Sequence, residues 1–231
     1  INTRLLYFGL FSTALATLSF LVMMCRTWLQ QPHEIQQLRH KILQETYGKV
    51  LELAAGQGLN IGVYPFAVSE IVMVDQSAQE LQRLRYRIPK TAYPKYEVVQ
   101  DKVERLELFQ DAEFDCVVDM FGLCHYRDPV MALRQMQRVV KPTGTIVLLE
   151  HGRSPFFPVN WVLDYFADRH TVNTHGCLWN QDLQAYFKEA RLEVRELTQL
   201  HFGTTYYVIA HPEVLDAEAM KFVPSPKQPV R

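Results

Sequence analysis

The chain has 231 residues, a formal net charge of −1 at pH 7 and 48% hydrophobic residues. This length fits one ordinary domain with an appendage, and the near-zero net charge argues against a basic protein that binds nucleic acid. The four cysteines show no C-x-x-C pair and no spacing typical of a zinc site, so we expect free thiols in a reducing compartment and no bound metal. They are Cys25, Cys116, Cys124 and Cys177.

Residues 5–25 form an uncharged segment rich in Leu, Phe, Ala and Met. As a helix it would extend roughly 30 Å, which matches the hydrocarbon core of a bilayer. We therefore predict a transmembrane anchor at residues 1–30; a secretory signal peptide is the alternative, although the apolar run is longer than a typical one. Small residues along the segment would let it pack against a membrane-complex partner. Because the chain does not begin with Met, we expect a targeting segment upstream.

The basic residues around this segment predict which side of the membrane the rest of the chain occupies. Arg26, Arg39 and Lys41 follow the segment, whereas Arg4 alone precedes it. The positive-inside tendency therefore places the remaining chain on the cytoplasmic or matrix side. Residues 31–48 carry apolar side chains at helical spacing and are predicted to form a linker helix.

The segment KVLELAAGQGLN, residues 49–60, predicts a strand followed by a glycine turn and the start of a helix. It lacks the third glycine of a dinucleotide site, because Ile61 stands in that place. It also lacks the Gly-Lys-Ser/Thr of a Walker loop. A nucleoside-binding loop remains, with a plain strand and turn as the alternative.

The spacing of Glu52, Ala54, Gly56 and Gly58 resembles the first motif of class I S-adenosylmethionine-dependent methyltransferases, E-x-G-x-G-x-G, with Ala54 in the first glycine place. The resemblance implies S-adenosylmethionine as cofactor. It also implies that Glu52 lies near the amino-acid end of the cofactor and that the loop backbone approaches it closely. We expect a negative φ at Ala54, where a methyl group is tolerated.

The next strand, Ile71 to Val74, ends at Asp75, about twenty residues beyond the loop. A carboxylate at this place can accept two hydrogen bonds from a ribose diol. Asp75 is therefore the strongest candidate cofactor ligand, and the adjacent Gln76 is included in the predicted site. The alternative is that Asp75 caps a helix over Gln76 to Arg87.

A third strand, Tyr96 to Gln100, is followed by Asp101, Lys102 and Val103. Related methyltransferases place an acid here to meet the adenine amino group. In this chain Lys102 occupies the position of that acid, and Asp101 lies one residue before it. The backbone of Lys102 and Val103 is the other candidate for the adenine contact.

The remaining strands and helices complete an alternating pattern. Strands are predicted at Phe114 to Asp119 and Thr145 to Leu149, with a helix capped by Asp128 and started by Pro129 between them. Such alternation predicts a doubly wound α/β fold with a mostly parallel sheet and ligands at the carboxyl ends of its strands. Asp119 joins the carboxylates at that edge.

Motifs in the second half narrow the resemblance. They are FGLC at 121–124, DPV at 128–130, RVVKP at 138–142, LLEHGRS at 148–154 and HGCLWN at 175–180. These motifs look like those of membrane-anchored methyltransferase-like proteins of the mitochondrial inner membrane, over residues 49–212. The resemblance implies a Rossmann-like, seven-stranded sheet completed by a hairpin with one antiparallel strand and Gly203 at its turn.

Residues 156–180 interrupt the alternation and are rich in aromatic side chains, so they are predicted either to cap the cofactor site and form the acceptor pocket or to be an aromatic-packed connection. A helix is expected over Gln181 to Ala190. The tail at 213–231 contains several prolines and is expected to be extended.

Methyl transfer depends mainly on alignment, so motifs say little about the acceptor. His151 and His175 are weak candidates for a base toward an oxygen or thiol acceptor, although a lone histidine is more often structural. Asp119-Met120-Phe121-Gly122 replaces the Asn/Asp-Pro-Pro-Tyr loop used for exocyclic base amines, which argues against that substrate class.

Two hypotheses about function follow. The favoured one is a membrane-anchored S-adenosylmethionine-dependent methyltransferase with a small-molecule or lipid acceptor. The alternative is a catalytically inactive structural subunit or assembly factor of a mitochondrial inner-membrane complex. The resemblance implies the inner membrane with the domain on the matrix side; the cytoplasmic face of another organelle membrane is the alternative location.

Overall fold

The computed structural model describes residues 12, 13, 15, 17–19, 33–91, 93–174 and 176–213. The chain divides into two compact units, residues 1–41 and 42–231. Most of the predicted anchor and the tail beyond residue 213 lie outside the described residues. The few described residues between 12 and 19 are helical, and α1 spans residues 33–43. Within the described part of the chain, no helix combines the length and apolarity needed to cross a membrane.

The larger unit contains a seven-stranded sheet with the order β3-β2-β1-β4-β5-β7-β6. The strands β1 to β5 pair in parallel, and β7 runs antiparallel between β5 and β6. This confirms the prediction of a mostly parallel sheet completed by a hairpin, and Gly203 lies in the hairpin turn with φ +82°. The strands are Gly48–Leu53, Val68–Asp75, Lys95–Gln100, Phe114–Met120, Val140–His151, Glu193–Leu200 and Thr205–His211.

In the part of the chain that the structure describes, five further helices follow α1, and three of them begin at side-chain caps. Ser77, Asp128 and Asp182 each accept a hydrogen bond from the backbone N–H three residues on. The Asp128 cap and the Pro129 helix start are therefore confirmed, whereas the cap before α2 is Ser77 and not Asp75. The helices are α2 (Ala78–Arg87), α3 (Pro129–Val139), α4 (Phe157–Tyr165), α5 (Ala167–Asn173) and α6 (Leu183–Glu189).

Two connections differ from the predicted alternation. The segment between β1 and β2 consists of successive turns, so the prediction of a helix after the glycine loop is wrong. Gly56, Gly58 and Gly62 all have positive φ, which a right-handed helix cannot accommodate. The segment between β3 and β4 is also built of turns. In addition, β5 begins directly after α3 at Val140, earlier than the predicted start at Thr145.

The hydrophobic core lies around the central strands. The side chains of β1, β2, β4 and β5 are mostly buried, as expected for parallel strands covered on both faces. Leu81 and Leu84 of α2 are fully buried, as are Leu133 and Met136 of α3. This packing fixes the positions at which the four central strands end, and the candidate site lies at those ends.

Candidate functional site

The carboxyl ends of β1, β2, β4 and β5 bring four acidic residues to one edge of the sheet. Glu52, Asp75 and Asp119 were predicted there from sequence, and Glu150 of β5 was not. Parallel pairing sets this arrangement, because Leu53 pairs with Asp119 and Asp119 with Leu148. The edge is therefore acidic and lies where open α/β sheets bind ligands.

The loop after β1 is held in a strained conformation. Ala54 has φ +46°, so the expectation of a negative φ is wrong, and its methyl group crowds the backbone. The following residues are fixed to β2, because Ala55 N donates to Val74 O at 3.0 Å and Gly56 N donates to Asp75 Oδ2 at 2.9 Å. A Cβ built on Gly56 would meet only Ala54 O, at 3.8 Å, so the loop leaves open space there.

Glu52 is buried and its carboxylate is hydrogen-bonded inside the domain. Asn60 Nδ2 donates to Oε1 at 2.9 Å, and the Tyr64 hydroxyl donates to Oε2 at 2.7 Å. Glu52 is therefore not an unpaired buried charge, because the turn segment supplies both donors. Its contact with the cofactor stays a prediction.

Asp75 ends β2 with both oxygens engaged by backbone. Oδ2 accepts from Gly56 N, and Oδ1 accepts from Ser77 N at 2.8 Å. The carboxylate thus joins the glycine loop to the start of α2 and remains half-buried at the edge. Each oxygen keeps a second lone pair, so the predicted ribose contact stays chemically available. The adjacent Gln76 side chain is exposed.

Asp101 organises the turn after β3. Its Oδ1 accepts from Lys102 N at 2.7 Å and its Oδ2 from Leu108 N at 3.4 Å. Lys102 is exposed and Val103 is buried. The Asp101 side chain therefore has a local structural role in the turn, and the backbone at Lys102 and Val103 stays a predicted adenine contact.

Asp119 and Glu150 form a fully buried pair of acids. Gly122 N donates to Glu150 Oε1 at 3.0 Å, whereas the other Glu150 oxygen and both Asp119 oxygens have no hydrogen-bond partner among the described residues. Burial raises the pKa of Asp119 to about 7, and burial followed by the Asp119 charge raises the pKa of Glu150 well above its usual range. A Cβ at Gly122 would collide with the Asp119 carboxylate and the Tyr126 hydroxyl, so only glycine fits.

A pair of thiols lies beyond the two acids. Cys124 follows β4 in a short 3₁₀ turn, Leu123–His125, and its Sγ lies 3.3 Å from the Sγ of Cys177. The Nδ1 atom of His151 lies 3.6 Å from Cys177 Sγ. Hydrogen bonding from Cys124 and then from His151 lowers the pKa of Cys177, while the pKa of Cys124 rises. Cys116, Cys124 and Cys177 are buried and free, as expected. His175 lies outside the described residues.

The segment from 156 to 180 forms α4 and α5, and much of its aromatic content faces solvent. The exposed fractions are 80% for Phe157, 62% for Trp161 and 71% for Tyr165, and the rings of Trp161 and Tyr165 stack at 5.7 Å. Trp179 instead packs inside the connection, because it stacks on His170 at 3.8 Å and donates to Leu163 O at 3.0 Å. We name Phe157, Trp161 and Tyr165 the aromatic face.

A cavity of about 450 Å³ lies away from this site, between the end of α2 and the start of β3. Its lining includes Arg85, Lys90 and Lys95. Lys95 is the first residue of β3, so the cavity is at the amino end of the strands, opposite to the acidic edge. It is therefore distinct from the predicted cofactor site.

The residues at the acidic edge fit S-adenosylmethionine chemically. The open space at Gly56 allows close approach to the backbone, and Asp75 offers acceptors for a diol. The unpartnered Asp119 carboxyl suits a cationic ligand, because a nearby positive charge favours its ionised form.

Comparisons with known proteins agree with this fit. Residues 51–148 match a family model described as a methyltransferase domain. The chain is 32% identical over 189 residues to the mitochondrial methyltransferase OMS1 of Saccharomyces cerevisiae, a match that covers 74% of the chain and 40% of OMS1. It is 34% identical over 142 residues to the ubiquinone/menaquinone biosynthesis C-methyltransferase UbiE of Cronobacter sakazakii, covering 60% of the chain and 56% of that protein. The chain thus spans about half the length of these relatives.

Two further known proteins match this chain over a larger share of their own length. The chain is 30% identical over 162 residues to the phosphatidylethanolamine N-methyltransferase of Cereibacter sphaeroides, covering 68% of the chain and 75% of that protein. The crystal structure of a putative methyltransferase from Bacillus halodurans superposes with a TM-score of 0.61 at 17% identity, covering 77% of this chain and 95% of the other. The structural match supports the fold alone.

Proposed function

The chain belongs to the S-adenosylmethionine-dependent methyltransferase family, and we propose that it is a membrane-anchored mitochondrial enzyme that methylates a lipophilic acceptor. S-adenosylmethionine is the cofactor, and it supplies a methyl group on a sulfonium centre when bound. The observation that carries the proposal is the fully buried carboxyl of Asp119 at the acidic edge. It accepts no hydrogen bond of good geometry from the described residues, and the Tyr126 hydroxyl and the Gly122 N–H only partly offset its burial. Leaving such a group without a partner costs roughly 1–3 kcal/mol, which a cationic ligand would offset.

We assign the following roles to the residues that would hold the cofactor. The backbone at Ala54, Gly56 and Gly58 admits it closely, and Asp75 accepts from its ribose hydroxyls. Glu52 and Asp119 supply negative charge at its amino-acid end.

The lipophilic acceptor is supported by two independent observations. The name of UbiE states ubiquinone and menaquinone biosynthesis, and the name of the other relative states the phospholipid phosphatidylethanolamine. The aromatic face of this chain exposes three large rings on one short helix, and such rings favour the interface between water and lipid. The uncharged segment at residues 5–25 supports a membrane location, and the similarity to OMS1 supports the mitochondrion.

The alternative, an inactive subunit or assembly factor, is favoured by one feature of the loop. Asn60 and Tyr64 already bond both oxygens of Glu52, so the fold satisfies this carboxylate without a ligand. Under this alternative, Asp119 stays protonated and no cofactor binds.

Titration calorimetry of the full chain in detergent separates the two functions. The enzyme should bind S-adenosylmethionine with a micromolar Kd, and Asp119→Ala should abolish this binding. Purified enzyme should then transfer a labelled methyl group into an organic extract of mitochondrial membranes. If the folded chain does not bind the cofactor at millimolar concentration, the enzyme proposal is wrong. If the cofactor binds but the label stays out of the extract, only the lipophilic acceptor is wrong.

A further inference from the structure

Two buried thiols and several histidine nitrogens converge at the rim of the acidic edge. The ligand atoms of Cys124, His125 and Cys177 all lie within 4.8 Å of one another. His151 Nδ1 approaches Cys177 Sγ to 3.6 Å. These residues come from three separate segments: the 3₁₀ turn after β4, the end of β5 and the stretch after α5. The fold therefore gathers soft donors that the sequence keeps apart.

A third histidine lies beside the thiols. The Nε2 atom of His170 is buried and has no hydrogen-bond partner in the described part of the chain. The His170 side chain interacts with the Cys177 thiol, and its ring is held against Trp179 by stacking. His170 is therefore a second histidine beside Cys177.

From this geometry we infer that Cys124, Cys177 and His125 bind a soft divalent metal ion of the Zn²⁺ class, with a histidine beside Cys177 as the fourth ligand. Cysteine sulfur and histidine nitrogen are the donors that Zn²⁺ prefers, in tetrahedral sets of four. The candidate for this fourth ligand is His151, whose Nδ1 atom lies 3.6 Å from Cys177 Sγ. It does not belong to the group of donor atoms that all lie within 4.8 Å of one another, so its ring would have to move toward the other ligands when the ion binds.

Two measured separations are near those of tetrahedral coordination. Zn–S bonds of about 2.3 Å and Zn–N bonds of about 2.0 Å place two sulfurs about 3.8 Å apart and a sulfur and a nitrogen about 3.5 Å apart. The Cys177–His151 separation of 3.6 Å agrees with this, and the Cys124–Cys177 separation of 3.3 Å needs to widen by only about half an ångström. A disulfide would require the sulfurs to approach to about 2.05 Å, and it would leave the histidines unexplained.

The ion would cross-link two segments at the rim of the site. Leu178 N already donates to Cys124 O at 2.9 Å, so the stretch after α5 rests on the turn after β4. Cys124 lies two residues beyond Gly122, whose N–H bonds Glu150. A metal at the thiols would therefore fix the segment leading to α6 against the acidic edge. This inference is independent of the methyltransferase activity.

Metal analysis of the full chain tests the inference. The protein is purified, stripped with a chelator, incubated with excess Zn²⁺ and desalted, and its metal content is measured; a parallel sample receives Co²⁺. We expect about one Zn²⁺ per chain, a higher melting temperature with Zn²⁺ than with chelator, and an absorption band from thiolate-to-Co²⁺ charge transfer.

Matched variants locate the ion. Cys124→Ser and Cys177→Ser should lose the stoichiometric metal and the charge-transfer band. His125→Ala and His151→Ala should weaken Zn²⁺ binding at least tenfold, and because neither residue is fully buried these variants should fold. Cys116→Ser, which changes a buried thiol within β4, and His33→Ala, which changes an exposed histidine, should bind as the wild type does.

Three results would overturn the inference. The first is wild-type protein that retains well under one Zn²⁺ per chain. The second is Zn²⁺ binding that Cys116→Ser reduces as much as Cys124→Ser does, or that His125→Ala and His151→Ala leave unchanged. The third is a Cys124–Cys177 disulfide in the purified protein that, once reduced, still takes up no metal.

Discussion

At the scale of single residues, the buried acids make the stability of the domain depend on pH. Asp119 has an ordinary pKa near 3.9 in the unfolded chain and about 7 in the folded one. Below about pH 4 both states hold the proton, whereas between these values only the folded state holds it. Stability is therefore full below the unfolded pKa and is lost as pH rises toward 7.

We predict that Asp119→Asn makes the stability of the domain depend less on pH, because the amide does not ionise. The free energy of unfolding of the variant, relative to wild type, should rise with pH by up to about 1.4 kcal/mol per unit between pH 4 and 7. Urea denaturation at a series of pH values measures it. Asp168→Asn removes an exposed carboxylate of α5 and should keep the wild-type slope. Parallel curves for Asp119→Asn and wild type would mean that Asp119 ionises normally in the folded domain.

The Asp75 side chain is expected to contribute both to S-adenosylmethionine binding and to the stability of the domain. Asp75→Ala removes the acceptor for both Gly56 N and Ser77 N, so we expect the domain to lose about 1.5–3 kcal/mol of stability. The affinity for S-adenosylmethionine should fall at least tenfold, since the loop and the ribose acceptor are lost together. Urea denaturation and calorimetry measure the two effects. Glu70→Ala, on the same strand in a surface pair with Lys95, should change neither appreciably. Unchanged affinity in a folded Asp75→Ala protein would remove Asp75 from the site.

At the scale of elements, the glycine loop retains strain that a single substitution can relieve. Ala54 occupies left-handed backbone with φ +46°, where a Cβ costs roughly 1 kcal/mol or more. We predict that Ala54→Gly stabilises the domain by about 0.5–1 kcal/mol, once the greater freedom of glycine in the unfolded chain is subtracted. Urea denaturation measures this difference. Ala67→Gly, at an exposed position of ordinary φ, should instead destabilise it. A loss of stability in Ala54→Gly would show that the loop relaxes in solution.

The central strands could be predicted from sequence because each carries a local signal. Four short apolar runs end in acids or turn residues, and such runs fit a parallel sheet whatever the rest of the chain does. The segment after β1 was mispredicted for the same reason. A glycine pair suggested a helix start, but a third glycine, Gly62, and the Glu52 bonds to Asn60 and Tyr64 favour consecutive turns.

Other parts of the site were harder to predict from the sequence. Glu150 lies in an apolar strand, so an acid at that strand end could have been noticed from the pattern that identified Asp119. The contact between Cys124 and Cys177 had no such signal, because 53 residues separate them and the path between them includes the irregular segment with α4 and α5. Long-range contacts of this kind depend on tertiary packing and not on spacing.

At the scale of the whole molecule, the aromatic face favours direct contact of the domain with lipid. Phe157, Trp161 and Tyr165 expose most of their surface, although their neighbours Val159 and Leu163 on the same helix are buried. Exposed rings of this size gain free energy when they leave water, at about 25 cal/mol per Å². The domain would thereby take a lipophilic acceptor from the bilayer without releasing it into water.

The last prediction follows from this contact and uses tryptophan fluorescence in vesicles that contain quencher-labelled lipids. A full-length variant that keeps only Trp161 should be quenched strongly, since its ring would lie at the lipid interface. A variant that keeps only Trp179 should be quenched weakly, because that ring stacks on His170 and donates to Leu163 O. Phe157→Ser should reduce the quenching of Trp161 and leave stability within about 0.5 kcal/mol, as expected for an exposed site. Equal, weak quenching of both tryptophans would show that the aromatic face stays in water, and the acceptor would then have to reach the site from solution.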